Sequence, residues 1–312
     1  MSPHSRMSVV IAAYNAAATI EDAIASVVGQ SWGEWELIVV DDGSTDTTSA
    51  IVARHADDDH RVRLTTQPNA GTAAARNAGA SLASGEYLVF LDADDLLVPD
   101  YMERQLAFAA EHPGFDIYAS NADLLLPDGR RRAFWSDTLH AGVFSLAAED
   151  QIRESSILLM AMITRRTLEL TGGFRTLHSE DYDFWLRALL AGARHIYNSA
   201  TLAVYRRRPG QRTRSLMSEA ESFLWILQDN ATRQGLTDAQ RTAFERAIGF
   251  ATVRVQRRRL EEALLEERFE GARMAYWRSR AAFPNKLQYC VGGLIMLVSP
   301  RLYARIKRDR MI

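Results

Sequence analysis

Glu36-Leu37-Ile38-Val39-Val40-Asp41-Asp42-Gly43-Ser44-Thr45-Asp46 runs a short apolar, β-branched stretch straight into a turn that carries three carboxylates. Glu36 to Val40 has the length and composition of a buried strand. On its N-terminal side, Ser8 to Ala13 reads as another strand, and Ala17 to Val28 as a helix with Ile20, Ile24, Val27 and Val28 on one face. On its C-terminal side come a helix at Thr47 to His55, a strand at Val62 to Thr66, a helix at Thr72 to Ala83, a strand at Tyr87 to Leu91 and a helix at Pro99 to Glu111. Strands separated by helices of this length predict βαβ crossovers and a mainly parallel sheet flanked by helices, an α/β fold. Ligands of such sheets lie beyond the carboxyl ends of the strands.

Past Asp116 the alternation changes. Leu124 to Phe134, interrupted by Pro127, Asp128 and Gly129, predicts a hairpin, and Leu159 to Thr164 a further buried strand. A short helix at Tyr182 to Ala191 and a strand at Leu202 to Tyr205 precede an arginine-rich loop. From about Ser215 the pattern is helical, with a break at Gly235 and a long Arg- and Glu-laced stretch from Thr252 to Ala282. The expected organisation is a sheet domain over residues 1–215 and a helical C-terminal region over 216–312.

The 312 residues are 47% hydrophobic and 24% charged, enough apolar material for a sizeable core and too much for general disorder. A net charge of −2 argues against a chain-wide grip on nucleic acid. That balance conceals an asymmetry: residues 1–250 carry 23 basic and 33 acidic side chains, whereas residues 251–312 carry 14 and 6. The single cysteine, Cys290, has no internal disulfide partner. Neither a continuous apolar span nor a secretory leader is legible, so the expected compartment is the cytoplasm.

Two acidic clusters, Asp41 to Asp46 and Asp92-Ala93-Asp94-Asp95, follow the second and fourth strands, at the rim where such a sheet presents its ligand. Their simplest common partner is a divalent metal carrying a polyphosphate, and oxygen donors of this kind suit Mg²⁺ or Mn²⁺ rather than zinc. The first cluster has a bland alternative, a turn with Gly43 at the difficult backbone angles and Ser44 or Thr45 capping the next helix. Three carboxylates after an apolar strand are harder to explain by capping alone.

Together with Val9-Val10-Ile11-Ala12-Ala13-Tyr14-Asn15, Asn69-Ala70-Gly71, Ala75-Arg76-Asn77-Ala78-Gly79, Gly172-Gly173-Phe174 and Glu180-Asp181-Tyr182-Asp183-Phe184-Trp185, these clusters resemble the motifs of family 2 glycosyltransferases, in the same order and over about 200 residues from Ser8 to Arg208. The resemblance implies the nucleotide-binding, Rossmann-like GT-A fold and an inverting transfer of a sugar from a nucleotide diphosphate donor. It also implies site residues. Ala13, Tyr14, Asn15 and Asp42 would surround the nucleotide, with Asp42 accepting from a ring N–H of uracil or thymine. Asp92 would approach ribose or phosphate, and Asp94 would ligate the metal. Asp181 is the implied base and Glu180 the implied contact to acceptor or donor sugar. The null alternative for Glu180 and Asp181 is complementing a helix dipole.

For Arg76 two readings stand: holding phosphate, or orienting Asp92 and Asp94. For Trp185 the readings are core or a wall of the acceptor site. Arg206, Arg207 and Arg208 follow the last strand and are candidates to neutralise the leaving diphosphate. Arg208 lies close to a position where the family often has a metal-binding His, so the third metal contact stays unassigned.

Leu287 to Val298 is too short to span a bilayer, and the basic residues around it between 286 and 310 suit either an interfacial segment on an anionic membrane or a helix buried on the core. A membrane-facing tail would suit a lipid-linked saccharide acceptor at the inner face of the cell membrane, in cell-surface polysaccharide synthesis. Two competing functions are a non-catalytic nucleotide-sugar binder or scaffold and a sugar-phosphate nucleotidyltransferase. The second would call for a glycine-rich basic loop that Ala12 to Ala18 lacks.

Overall fold

The computed structural model describes residues 7–133, 142–153, 157–207 and 216–265, together with 274 and 276. Two compact units divide the chain, Met1–Gln211 and Arg212–Ile312.

The first unit opens with the expected alternation: β1 (Met7–Ala13), α1 (Ile20–Val28), β2 (Trp35–Asp41), α2 (Thr48–Asp58), β3 (Val62–Thr66), α3 (Thr72–Leu82) and β4 (Tyr87–Asp92). There follow β5 (Leu96–Leu97), α4 (Tyr101–Glu111), β6 (Ile117–Leu125), β7 (Arg131–Ala133), β8 (Val143–Phe144), α5 (Ala148–Arg153), β9 (Met162–Thr164), α6 (Arg165–Thr171), α7 (Glu180–Leu190) and β10 (His195–Arg206). Their sheet runs β3-β2-β1-β4-β9-β6-β10-β5, with β7 on β6 and β8 on β10.

The parallel pairing expected from the sequence holds across β3, β2, β1 and β4. Beyond β4 the sheet is mixed: β9 runs antiparallel to both β4 and β6, and β10 returns parallel to β6. Three-residue β9 is followed at once by α6, so it reverses the sheet without a crossover helix of its own.

β1, β2 and β4 are apolar on both faces because helices cover both. α1 buries Ile20, Ala23, Ile24 and Val27, one face at helical spacing. It begins at Ile20 rather than Ala17, because residues 16 and 17 form a turn tied to α2: Ala16 N–H donates to Thr48 Oγ1 at 2.8 Å and Ala17 N–H to Asp46 Oδ2 at 3.1 Å. α3 lies unusually close to the sheet. A Cβ at Gly79 would stand 2.4 Å from Val10 Cγ1 and 3.2 Å from Val40 Cγ2, so only glycine permits that approach.

Register decides where the acids meet. Ala13 pairs with Asp41 and Ala12 with Asp92, so β1, β2 and β4 end together on one rim. In the second unit α8 (Leu216–Ala231) and α9 (Asp238–Leu265) pack on each other, with surface pairs Glu219–Arg254 and Glu221–Arg259. The expected segment at 286–310 lies outside the described residues, as does Arg208.

Candidate active site

One half of the rim is built from the loops after β1 and β2. Asp42 N–H donates to the Ala13 carbonyl at 2.8 Å. Asn15 takes a left-handed φ of 49° and bonds the acidic turn twice: its N–H donates to Ser44 Oγ at 2.9 Å, and its Oδ1 accepts from Thr45 N–H at 2.8 Å. Asparagine tolerates that conformation better than most residues. Between these anchors Tyr14 is 47% exposed, an aromatic face held open beside a buried Ala13.

Two carboxylates of this half, Asp41 and Asp42, are buried, while Asp46 stays exposed. Asp41 accepts from Ser44 N–H at 3.0 Å and Ser49 Oγ at 2.5 Å. Asp46 accepts from Thr48 N–H at 3.0 Å. The little burial it has would raise the pKa, but donors from Thr48 and Ala17 outweigh that and hold it below the ordinary carboxylate value. Asp42, only 3% exposed, accepts from Gln67 Nε2 at 2.7 Å and from the N–H groups of Ala70 and Gly71 at 2.9 Å each. It therefore shapes the Asn69-Ala70-Gly71 loop, and any contact to a base falls on the capacity left at Oδ2. Gly43 (φ 75°) lets that loop pass, since a Cβ there would meet Asn69 N at 2.9 Å.

The other half follows β4. Asp92, Asp94 and Asp95 each offer an oxygen within 4.8 Å of the others. Asp95 is buried; its Oδ1 accepts from Arg206 N–H at 2.9 Å, while Oδ2 is buried with no hydrogen-bond partner. Burial, then repulsion from Asp92 and Asp94, lifts its pKa well above the usual range against the opposing Arg206. Three converging hard oxygens, one of them orphaned, fit a divalent cation.

Arg76 joins this half to α7. Its guanidinium is buried, donating from Nη2 to Asp92 Oδ1 at 2.7 Å and from Nη1 to Glu180 Oε1 at 3.0 Å. Burial acts to lower its pKa, but Asp92, Glu180 and Asp181 raise it further, so it stays charged. Asp181, next along α7, is part-buried and accepts from Tyr182 N–H at 2.8 Å. Burial raises its pKa, Glu180 adds to the rise and Arg76 opposes it.

The acid pair is held from behind. Asn77 forms a two-way amide clamp on Phe174, Nδ2 donating to its carbonyl and Oδ1 accepting from its N–H, both at 2.8 Å. Fully buried Asp183 accepts from Arg187 Nε at 2.8 Å and binds Arg175, while Arg187 also reaches the carbonyls of Thr171 and Gly173.

Trp185 takes the first of its two readings. It is 0% exposed, in the core beside Phe184 at 4.9 Å between centroids, so it forms no wall of an open acceptor site. Arg206 departs from its expected place: it points back into the fold, donating to the Asp94 carbonyl, to Asp22 Oδ2 at 2.7 Å and to the Thr19 carbonyl at 3.3 Å. Sequence reading missed this, along with the Asp183 bracket and the Asn77 clamp. The i, i+4 spacing of Asp183 and Arg187 was the available signal for the bracket.

A model described as Glycosyl transferase family 2 matches residues 8–136. The putative teichuronic acid biosynthesis glycosyltransferase TuaG of Bacillus subtilis is 35% identical over 207 residues, covering 64% of this chain and 78% of its own. WfgD of Escherichia coli, a UDP-Glc:alpha-D-GlcNAc-diphosphoundecaprenol beta-1,3-glucosyltransferase, is 30% identical over 184 residues, covering 59% and 69%. Among solved structures, S. aureus TarS 1-349 in complex with UDP-GlcNAc superposes with a TM-score of 0.66 at 21% identity, over 97% of this chain and 88% of that one. The mannosyltransferase PcManGT from Pyrobaculum calidifontis, in complex with GDP-Man and Mn2+, gives 0.60 at 20% identity over 98% and 87%. The chain belongs to glycosyltransferase family 2.

Proposed function

We propose that the enzyme transfers a sugar, with inversion, from a UDP- or dTDP-sugar to a hydroxyl of a saccharide or lipid-linked saccharide in cell-surface polysaccharide synthesis. The observation that carries this reading is Arg76, which ties Asp92 of the donor-side rim to Glu180, the neighbour of Asp181. One buried cation thereby draws the diphosphate side and the acceptor side together.

In this reading Ala13, Tyr14 and Asn15 bind the nucleotide base, Tyr14 by its exposed ring. Asp42 supports that pocket through the 67–71 loop. Asp94, with Asp92 and Asp95, would hold Mg²⁺ or Mn²⁺, which would offset the charge on the departing diphosphate. Asp181 takes the proton of the acceptor hydroxyl as that oxygen bonds the anomeric carbon, and the carbon–oxygen bond to the diphosphate breaks with its electron pair leaving on the nucleotide. Glu180, fixed by Arg76, contacts acceptor or donor sugar. Arg207 and Arg208 are the remaining candidates to meet the diphosphate, since Arg206 is engaged elsewhere.

The acceptor class rests on relatives such as WfgD and TuaG, whose names carry a lipid-linked saccharide and a cell-wall polymer. The test is a thermal-shift panel of UDP-, dTDP- and GDP-sugars with and without Mn²⁺, followed by transfer assays. Stabilisation by uridine nucleotides only with metal, and a product of opposite anomeric configuration by NMR, is the expected result. No response to any nucleotide, or a retained configuration, overturns the reading.

A further inference from the structure

We propose that Arg206 is a positioning residue for the aspartate rim, holding the Asp92–Asp95 turn in the form that brings its three carboxylates together and so setting how tightly the site takes a divalent cation. The proposal rests on reading that rim as a cation site.

The sheet puts Arg206 in place. β10 pairs antiparallel with β5 at Val204↔Leu96 and Ala203↔Leu97, and β5 begins immediately after the acidic turn. Continuing that register by two residues sets Arg206 opposite Asp94. There its backbone N–H donates to Asp95 Oδ1 at 2.9 Å and its Nε to the Asp94 carbonyl. The first bond orients the Asp95 carboxylate. The second fixes the peptide plane between Asp94 and Asp95, and with it the direction in which both side chains leave the backbone.

The rest of the guanidinium anchors this hold. Nη1 donates to Asp22 Oδ2 at 2.7 Å in the first turn of α1, and Nη2 to the Thr19 carbonyl at 3.3 Å just before it. A cation at a helix N-terminus is disfavoured by the helix dipole. Asp22 and the Thr19 carbonyl offset that, and the side chain is 9% exposed. The guanidinium thus sits behind the rim, on the main chain of Asp94, rather than among the oxygens that would face a cation. Arg76 pins Asp92 from the other side. A lysine has one nitrogen and cannot serve Asp94, Asp22 and Thr19 together.

The experiment is manganese binding by the full chain with UDP present, read from the electron paramagnetic resonance signal of free Mn²⁺, alongside thermal unfolding. Removing a group that orients metal ligands typically costs about 10- to 100-fold in metal affinity, so Arg206→Lys should weaken Mn²⁺ binding roughly tenfold. Asp22→Asn, at a largely exposed side chain, leaves the rim untouched and should weaken binding about two- to threefold, a fraction of the range for direct partners. It decides the question alone if Arg206→Lys does not fold. An arginine of merely structural value would lower the melting temperature and leave Mn²⁺ affinity unchanged in the variants that fold, which overturns the proposal. Asp94→Asn separates the two levels. If wild type takes up no Mn²⁺, or Asp94→Asn takes it up equally, the cation-site reading falls and this proposal with it. If Asp94→Asn abolishes uptake while folded Arg206→Lys and Asp22→Asn bind as wild type does, only the role of Arg206 falls.

Discussion

The two halves of the rim are built from the same residue type and use it in opposite ways. After β2, the carboxylates of Asp41, Asp42 and Asp46 accept from N–H, amide and hydroxyl donors of neighbouring segments, and the result is a set of fastened loops beside an exposed Tyr14. After β4 and at the start of α7, five carboxylates, Asp92, Asp94, Asp95, Glu180 and Asp181, crowd together, with buried Arg76 bonded to two of them and buried Arg206 behind them on the main chain of Asp94. Neutral donors satisfy lone pairs without removing charge, whereas crowded carboxylates raise one another's pKa. The pKa of Asp46 falls through its donors, while those of Asp95 and Asp181 rise, through burial first and neighbouring carboxylates second. Aspartate in the first half is an architectural acceptor; in the second it is an acid whose proton the fold holds more tightly.

The largest effect that would sharpen this contrast is at Asp181. Asp181→Asn should keep donor binding in a thermal-shift assay and lower kcat by about 10²–10⁴-fold, the usual contribution of a general base. Unchanged turnover would remove the base assignment.

Next is Arg76→Met, which leaves Asp92 and Glu180 facing one another without their cation. Breaking a buried pair by removing one partner costs about 3–5 kcal/mol, so a clear drop in denaturant midpoint should accompany loss of activity. A fall in activity with unchanged stability would mean that the pair is not the fastening it resembles.

On the first half, Asp42→Asn should cost less, about 1–3 kcal/mol, because only hydrogen bonds to one loop are weakened. Its kinetic mark should be a raised KM for donor with kcat nearly preserved. Comparable in size but confined to the scaffold is Gly79→Ala: the added methyl meets Val10, and overpacking of this kind costs about 1–3 kcal/mol without altering donor selectivity.

The pH profile separates the halves by sign. Asp181 must be ionised to accept a proton, and its pKa is raised in the fold. Activity should therefore fall with decreasing pH through a value above the ordinary carboxylate range, and Asp181→Asn should abolish that limb of kcat/KM. The stabilising contribution of Asp46 runs lower. Its folded pKa is depressed, so it is present above the ordinary carboxylate value and lost only as pH falls through the depressed one.

The sequence made the parallel half of the sheet legible because its strands are continuous apolar runs punctuated by turns; Val62 to Thr66 matches β3 residue for residue. β6 was harder. It begins at Ile117, and buried Ser120 and Asn121 in its middle break the apolar pattern on which the reading relied. Two-residue strands such as β5 and β8 have too little sequence to carry a period. At the site, the acids were legible by type and by position after strands. Their partners were not. Arg76 meets Glu180 across 104 residues and Arg206 meets Asp94 across 112, contacts that no local pattern encodes. Three consecutive arginines at 206–208 looked alike in sequence, yet the strand's alternation sends the side chain of the first inward.

Asn77 and Gly173 behave as a single inherited unit. A Cβ at residue 173 would lie 2.6 Å from Asn77 Oδ1, and that oxygen is committed to the Phe174 N–H. A chimera that grafts the 172–185 segment from a relative onto this sheet must bring a matching residue 77 with it, although the two positions are nearly a hundred residues apart. The 172–185 segment is therefore exchangeable only as a module whose seam is set by α3, not by the ends of the segment itself.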